Sequence, residues 1–584
     1  HQVERRKFRE LCLETGKKYS VLFSNLWKSL GFSCDFESAY STISPTSQRI
    51  SQWSFVDLYQ KGFLERRKEP ALWCTKCVTS FAQAEIEDVN MAGQYVHIPF
   101  AVDGMDPLVV ATTRPELLSA CGSVFVHPDD DRFKKYIGKK AKVPFYEHEV
   151  PVIADDKAQM DKGTGVVMCC TFGDTTDILW WRKHQLPLRE AILKYGKMSE
   201  IAGPLKDLKV EDAKKKMIEL LKEKNLVLKT VDIPAETRVV NTHERCGTPV
   251  EFLVQPQWFI KVCENKEKLI EIGRRSKWYP DFMRLRFENW VENLSWDWAI
   301  SRQRSFGVPI PAWYSEDGKH IHIPSLEELP LDPTEAKPKV KCPNGEWIPD
   351  NDVLDTWATS SITPLINARH TLSNARKNFL PMSMRPQAHD IIRTWAFYSV
   401  VKSFYHFSER PWNDVVISGH VKKPGAAAVQ GSQMAGQEFA KKTKISKSKD
   451  GDAFAPEKIM ERHCSDAIRL WSAGASLGID VMFDESAMAE AEKFLNKLWN
   501  ASRFALMQLE GFRPNTATKI INSEDLWIRA RLKQIVKYYQ NSFEAYEIHL
   551  AKVELDKFFW INFCDNYIEF VKCRCQTGSE DEKQ

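Results

Sequence analysis

Three groups of side chains in this chain have types and spacings that chemistry can use. The first is Lys444-Ile445-Ser446-Lys447-Ser448, followed by Lys449-Asp450-Gly451. Two lysines bracketing two hydroxyls beside a glycine make a cationic loop. Such a loop can follow negative charge as it builds on a transferring phosphate; the same composition also suits a plain solvated loop. The second group is a pair of metal half-sites. Cys74-Thr75-Lys76-Cys77 spaces two thiols so that one turn can hold both on a tetrahedral Zn2+, and His243-Glu244-Arg245-Cys246-Gly247 repeats the spacing with a glycine to turn the chain. Joined, they would make one zinc site between two distant stretches; apart, they are buried thiols and a surface histidine. The third is Gly173-Asp174-Thr175-Thr176-Asp177, two carboxylates three residues apart in a run that also suits an ordinary turn. Cys169 and Cys170 lie in an apolar run and read as core thiols, and Cys573 and Cys575 are too close in sequence to share such a site.

The elements that must position these groups are legible in outline. Residues 4 to 31 predict a helix, with Leu22, Leu26 and Leu30 four apart and Gly31 as a stop. From about 95 to 255 short β-rich runs take over: Tyr95-Val96-His97-Ile98, Leu108-Val109-Val110-Ala111 and Gly163-Thr164-Gly165-Val166-Val167-Met168, with a lysine-rich helical stretch at 208 to 226. This predicts an inserted α/β domain whose two connections carry the metal half-sites. Residues 415 to 419 predict a buried strand, and 424 to 440 a flexible loop rich in Gly, Ala, Gln and Ser. Beyond 488 the pattern is helical. Leu532, Ile535, Val536 and Tyr539 fall on one helix face, with Asn522, Ser523, Glu524 and Asp525 suited to its start. The tail from Gly578 predicts disorder.

At 584 residues the chain is too long for one core. Its 82 basic and 78 acidic residues allow a nucleic-acid partner without demanding one. Fourteen cysteines at irregular spacing suggest a reducing compartment, and no apolar run approaches a membrane span. The chain opens on His1 and a charged run, Glu4-Arg5-Arg6-Lys7, and reads as a segment that begins partway through something larger.

Several segments together resemble one family. Lys444 to Ser448 resembles the "KMSKS" signature of class I aminoacyl-tRNA synthetases, with Ile445 in place of methionine. Asp297-Trp298-Ala299-Ile300-Ser301-Arg302-Gln303, then Gly307-Val308-Pro309-Ile310-Pro311-Ala312-Trp313-Tyr314, resemble a segment of the valine, isoleucine and leucine branch. So do Asp352-Val353-Leu354-Asp355-Thr356-Trp357 and His389-Asp390-Ile391-Ile392-Arg393-Thr394-Trp395. Ala111-Thr112-Thr113-Arg114-Pro115-Glu116 is similar to the "TTRPE" of the valyl family, and the stretch from Gly163 to Asp177 resembles that family's archaeal-type editing strand and loop.

The resemblance implies an α/β fold: a nucleotide-binding, Rossmann-like catalytic domain, an inserted editing domain and a helical anticodon-binding domain. The expected segments are 1–80, the first stretch of the catalytic domain; 81–255, the editing domain with the zinc knuckle at its base; 256–487, the second stretch of the catalytic domain; and 488–584, the anticodon domain. It further implies ATP with Mg2+, L-valine and the tRNA for valine as substrates, and a monomeric, cytoplasmic protein with no membrane partner. Lys444 and Lys447 would contact the phosphates, Ser446 and Ser448 would shape the loop, and Trp357 and Trp395 would wall the valine side chain. In the editing domain Asp177 would hold the α-amino group of a misattached threonine and Asp174 would recognise its hydroxyl. Thr112, Thr113 and Arg114 would line the pocket and grip the terminal adenosine, with water as nucleophile. Two departures stand out. Residues 1 to 60 hold nothing like the family's "HIGH" element, so the first strand and helix of the nucleotide fold are expected to be missing, with a separate N-terminal fragment as a further partner. Lys422 to Lys444 is an apparent insertion before the signature. The readings this leaves open are a ligase that needs its N-terminal piece, a tRNA-binding deacylase that only edits, and a non-catalytic RNA-binding remnant.

Overall fold

The computed structural model describes residues 4–368, 380–423, 454–511 and 520–579. Its contacts divide the chain into two compact units, His1–Ser44 with Lys266–Asn293 and Ser360–Gln584, and Pro45–Asn265 with Leu294–Thr359. This partition cuts the chain differently from the four segments expected from sequence. Strands β1 (Leu64–Cys74) and β12 (Glu251–Ile260) lie on opposite flanks of the inserted region, yet they pair antiparallel from Leu64 opposite Ile260 to Trp73 opposite Glu251. That long ladder ties the insertion to its base. β2 (Thr79–Ser80) extends it on one edge and the strand Trp298–Ala299 on the other.

Between the two stalk strands lie β3 (Ile86–Asn90), β4 (Gly93–Val102), β5 (Met105–Thr112), β6 (Cys121–Val126), β7 (Lys140–Lys142), β8 (Glu149–Ala154), β9 (Val166–Cys170), β10 (Lys229–Ile233) and β11 (Val239–His243). The seven-stranded sheet runs β10-β4-β7-β8-β6-β9, with β5 paired to β4. β6 and β8 are parallel and the remaining pairs antiparallel. β3 and β11 form a separate pair. The predicted β-rich runs fall on β4, β5 and β9, and the lysine-rich stretch forms the helix Val210–Glu223. Its Ala213, Met217 and Leu221, spaced by four, are fully buried in a core with Val96, Ile98 and Phe100 of β4 and Val124 and Val126 of β6. The lysines face water, as an amphipathic helix requires.

In the other unit Trp412–Ser418 is the middle strand of a parallel three-stranded sheet, flanked by Lys277–Tyr279 and Met382–Ala388. The first helix, Arg5–Ser29, buries none of its side chains, and Gly31 follows it at φ +74°. Helices Glu485–Gln508, Ser523–Glu544, Ile548–Lys557 and Ile568–Thr577 make up the C-terminal region. Of the apolar face expected on Ser523–Glu544, Ile535 is buried while Leu532, Val536 and Tyr539 are exposed. The acidic start of that helix is used by tertiary contacts: Arg574 pairs with Glu524 at 2.9 Å and Asp525 at 2.6 Å. The signature loop Lys444 to Ser448 and the insertion before it, from residue 424, lie outside the described residues.

Candidate active site and metal knuckle

The ladder of β1 and β12 delivers the metal half-sites to one place. β1 ends at Cys74, and the turn to β2 brings the Cys77 N–H to the Cys74 sulfur at 3.3 Å. β11 ends at His243, where a second tight turn carries Cys246 back, its N–H donating to the His243 carbonyl at 3.1 Å. Gly247 takes φ +66° in that turn, a conformation that favours glycine. The ligand atoms of Cys74, Cys77, His243 and Cys246 all lie within 4.8 Å of one another, and the sulfurs of Cys74 and Cys246 are 3.4 Å apart. Tetrahedral coordination with Zn–S arms of ~2.3 Å sets sulfurs about 3.8 Å apart, so a shift of a few tenths of an ångström would bring this pair to the spacing such a site needs. Three thiols and one imidazole form the donor set of a closed, structural zinc site. The His243 ring stacks on Phe81 at 4.6 Å, and burial lowers its pKa, keeping the imidazole neutral as ligation needs. Without a metal, burial pushes the Cys74 thiol up to about 12.

A second convergence lies in the inserted domain. Thr112 ends β5, and its hydroxyl accepts the Arg114 N–H at 3.0 Å. Pro115 then opens a 3-10 turn through Ala120. On the other side β9 runs into Thr171, whose N–H donates to the Ala120 carbonyl at 3.2 Å, and then to Gly173 and the helix Thr175–His184. The two segments meet at Gly173: a β-carbon there would lie 2.9 Å from Asp177 Oδ2 and 3.6 Å from Leu117 Cδ1. Asp174 caps the helix, its Oδ1 accepting the N–H groups of Thr176 at 2.8 Å and Asp177 at 3.1 Å. Asp177 is buried and accepts the Gly173 N–H at 2.7 Å. Burial, reinforced by the neighbouring Asp174 charge, pushes its carboxyl well above the usual range.

The helix is held from its far end. Asp155 Oδ2 takes Lys183 at 2.7 Å and His184 at 3.0 Å, while Trp180 stacks on Phe125 at 4.1 Å. Burial works the other way, yet Lys183 and His184 hold the Asp155 carboxyl well below the carboxylate range. Cys169 and Cys170 are buried, as core thiols should be.

Two of the segments that carried the resemblance, Asp297 to Gln303 and Asp352 to Trp357, interlock. Asp355 is buried and accepts from Trp298 Nε1 at 2.9 Å and Arg302 at 2.8 Å, and Arg302 also pairs with Glu85 at 3.0 Å. Gln303 takes the Ser80 N–H and donates to Asp352 at 2.6 Å. Asp297 accepts the N–H groups of Val262 and Cys263 and pairs with Arg67 at 2.7 Å. Trp357, half-buried, donates its N–H to Asp355, while Trp395 belongs to the other unit. The Trp395 ring carries the Arg385 guanidinium 3.3 Å from its centroid, so one face of this expected valine wall is already covered. Sequence reading missed three groups here. Asp155 and Glu251 carry no local signal, whereas Glu116 sits inside the recognised "TTRPE" run.

The family model described as tRNA synthetases class I (I, L, M and V) matches residues 1–484, and that described as anticodon-binding domain of tRNA ligase matches 525–584. The chain belongs to the class I tRNA synthetases. The Valine--tRNA ligase of Rickettsia rickettsii (strain Sheila Smith) is 40% identical over 594 residues, covering 98% of this chain and 70% of its own. That of Rickettsia typhi (strain ATCC VR-144 / Wilmington) is 42% identical over 593 residues, with the same coverage. That of Methanocaldococcus jannaschii is 40% identical over 589 residues, all of this chain and 65% of its own. Within the class, this chain falls in the valine–tRNA ligase family. Among solved structures, the ternary complex of Agrobacterium radiobacter K84 agnB2 LeuRS-tRNA-LeuAMS matches at a TM-score of 0.49 and 17% identity, over 96% of this chain and 73% of that one. Among the described residues no helix is long and apolar enough to cross a membrane.

Proposed function

We propose that the protein is a valine–tRNA ligase that joins L-valine to its tRNA using ATP with Mg2+, and that its inserted domain hydrolyses threonine from mischarged tRNA. Ligation is mostly positioning and charge stabilisation at the α-phosphate. Lys444 and Lys447 take that role, with Ser446 and Ser448 shaping their loop, and Trp357 borders the amino-acid side chain. A second site is needed because threonine has nearly the shape of valine. An apolar pocket rejects that isostere only by about a hundredfold, a figure established for valyl enzymes themselves. A polar hydrolytic pocket inverts the preference, since the hydroxyl can be bonded there.

The observation that carries the editing half is the meeting of two sequence-distant segments at Gly173, where Leu117 of one and Asp177 of the other both lie close to the glycine. In that pocket Asp177 takes the α-amino group. Asp174 keeps one oxygen on the helix N-terminus and offers the other to the threonine hydroxyl. Thr112 and Thr113 form the wall, and water attacks the ester. Cys74, Cys77, His243 and Cys246 hold a structural Zn2+ that fastens the base of the domain; the ion supplies cross-linking and takes no part in either reaction.

Valine-dependent exchange of pyrophosphate into ATP tests the ligase half. Exchange should depend on valine, and Lys447→Ala should lower its rate by about tenfold to a thousandfold. Exchange at the parental rate in Lys447→Ala overturns the role given to that lysine.

A further inference from the structure

The ligase and hydrolase readings leave unused a buried charge cluster where the chain leaves β5. Arg114 Nε donates to Glu116 Oε1 at 2.9 Å, and its Nη2 donates to both carboxylate oxygens of Glu251, at 2.9 and 3.0 Å. Glu116 is 1% exposed and Glu251 5%. The remaining oxygen of Glu116, Oε2, is buried with no partner. The Arg114 backbone is fixed as well, its N–H on the Thr112 hydroxyl and its carbonyl accepting the Leu117 N–H at 3.1 Å. Glu251 opens β12 directly opposite Trp73, the neighbour of the zinc ligand Cys74. The following residues of the same strand, Phe252 and Val254, pack in one cluster with Phe172 and Ile178. β12 therefore touches both halves of the candidate pocket, one through a charge and the other through apolar side chains.

We propose that Arg114 and Glu251 are a positioning pair, clamping the Thr112–Arg114 turn to the stalk strand and so setting the register between the two halves of the hydrolytic pocket. This departs from the role the resemblance implied, a grip on the terminal adenosine. The guanidinium is committed to two desolvated carboxylates. Swinging it onto a phosphate would strand both of them, a larger loss than a solvent-facing phosphate contact returns. Holding Nε on Glu116 and Nη2 on Glu251 fixes the direction of the planar guanidinium as well as its charge, which the single nitrogen of a lysine would not.

The activity arm of the test rests on the editing reading; the binding and stability arms do not. The affinity of the protein for the valine tRNA is measured against salt concentration for the parent, Arg114→Gln and Glu251→Gln. A phosphate contact on the single-stranded end contributes about 0.7 to the slope of log K against log salt, and the clamp predicts an unchanged slope for Arg114→Gln. Thermal unfolding of the two single variants and the double variant should show strong coupling, the double costing little more than either single. Hydrolysis of Thr-tRNA by Glu251→Gln and by Arg114→Lys should fall about tenfold to a hundredfold in kcat with KM within about twofold, and Glu251→Asp should recover some of the loss. A slope lowered by about 0.7 in Arg114→Gln, additive unfolding effects, or parental hydrolysis by folded Glu251→Gln each overturns the pair. If the parent hydrolyses neither Thr-tRNA nor Val-tRNA, the editing reading falls, while slope and coupling still decide the clamp.

Discussion

Asp177 makes a prediction in which function and stability pull in opposite directions. Its carboxyl is 6% exposed, takes one N–H from Gly173 at 2.7 Å, and feels the like charge of Asp174. Burial first, and the Asp174 charge second, raise its pKa well above the ordinary value. The folded state therefore keeps the proton to higher pH than the unfolded chain does. Between the unfolded pKa, about 3.9, and the raised native one, the unfolded state binds fewer protons, so stability falls as pH rises, by about 1.4 kcal/mol per pH unit for this one group. Asp177→Asn has the same shape, cannot ionise and keeps an oxygen for the Gly173 N–H. Its stability relative to the parent should climb across that window and then level off. Calorimetry of both proteins at about pH 5 and about pH 8 reads the difference directly, and the variant's melting temperature should gain on the parent's at the higher pH. The same variant should lose Thr-tRNA hydrolysis, because an amide carries no charge to balance an ammonium group. Parallel pH curves for the two proteins, or a variant less stable than the parent at about pH 8, would refute the reasoning that Asp177 is a desolvated carboxylate kept for function.

Asp174→Ala removes the acceptor for two helix N–H groups and should cost about 1 kcal/mol, seen as a lower melting temperature. Asp174→Asn keeps the cap, removes the smaller of the two causes that raise Asp177, and should weaken the pH dependence above while narrowing the gap between Thr-tRNA and Val-tRNA hydrolysis. Freshly purified protein should carry one zinc per chain by elemental analysis, bound more weakly at acid pH because the thiolates must be deprotonated. Cys74→Ser or a chelator should loosen the turns at Cys74–Cys77 and His243–Gly247, read as faster amide exchange there; a zinc-free protein with parental exchange would exclude the site.

Much of this was legible from residue order, for physical reasons that differ between elements. The two CxxC-like half-sites are local patterns, and only the β1–β12 ladder was needed to bring them together; no sequence pattern announces that ladder, because its strands are separated by the whole insertion. β4, β5 and β9 were visible as β-rich runs, and the Val210–Glu223 helix by its lysines. The roles inside the pocket were less visible. Asp174 and Asp177 could be named, yet their division of labour, one capping and one desolvated, depends on where the helix begins. The resemblance implied that Arg114 grips the terminal adenosine, and Glu251, which holds its guanidinium, lies 137 residues away. On the Ser523–Glu544 helix, spacing gave the apolar face without saying how much of it is covered.

The editing pocket is tested most directly by hydrolysis of Thr-tRNA and Val-tRNA, both charged on the valine tRNA, by this protein and by Asp177→Ala. The parent should release threonine faster than valine. Asp177→Ala should bind the tRNA nearly as tightly as the parent while hydrolysing neither ester, since the role proposed for the lost group is to anchor an amino group and not a phosphate. Release of threonine by Asp177→Ala at the parental rate would contradict the assignment.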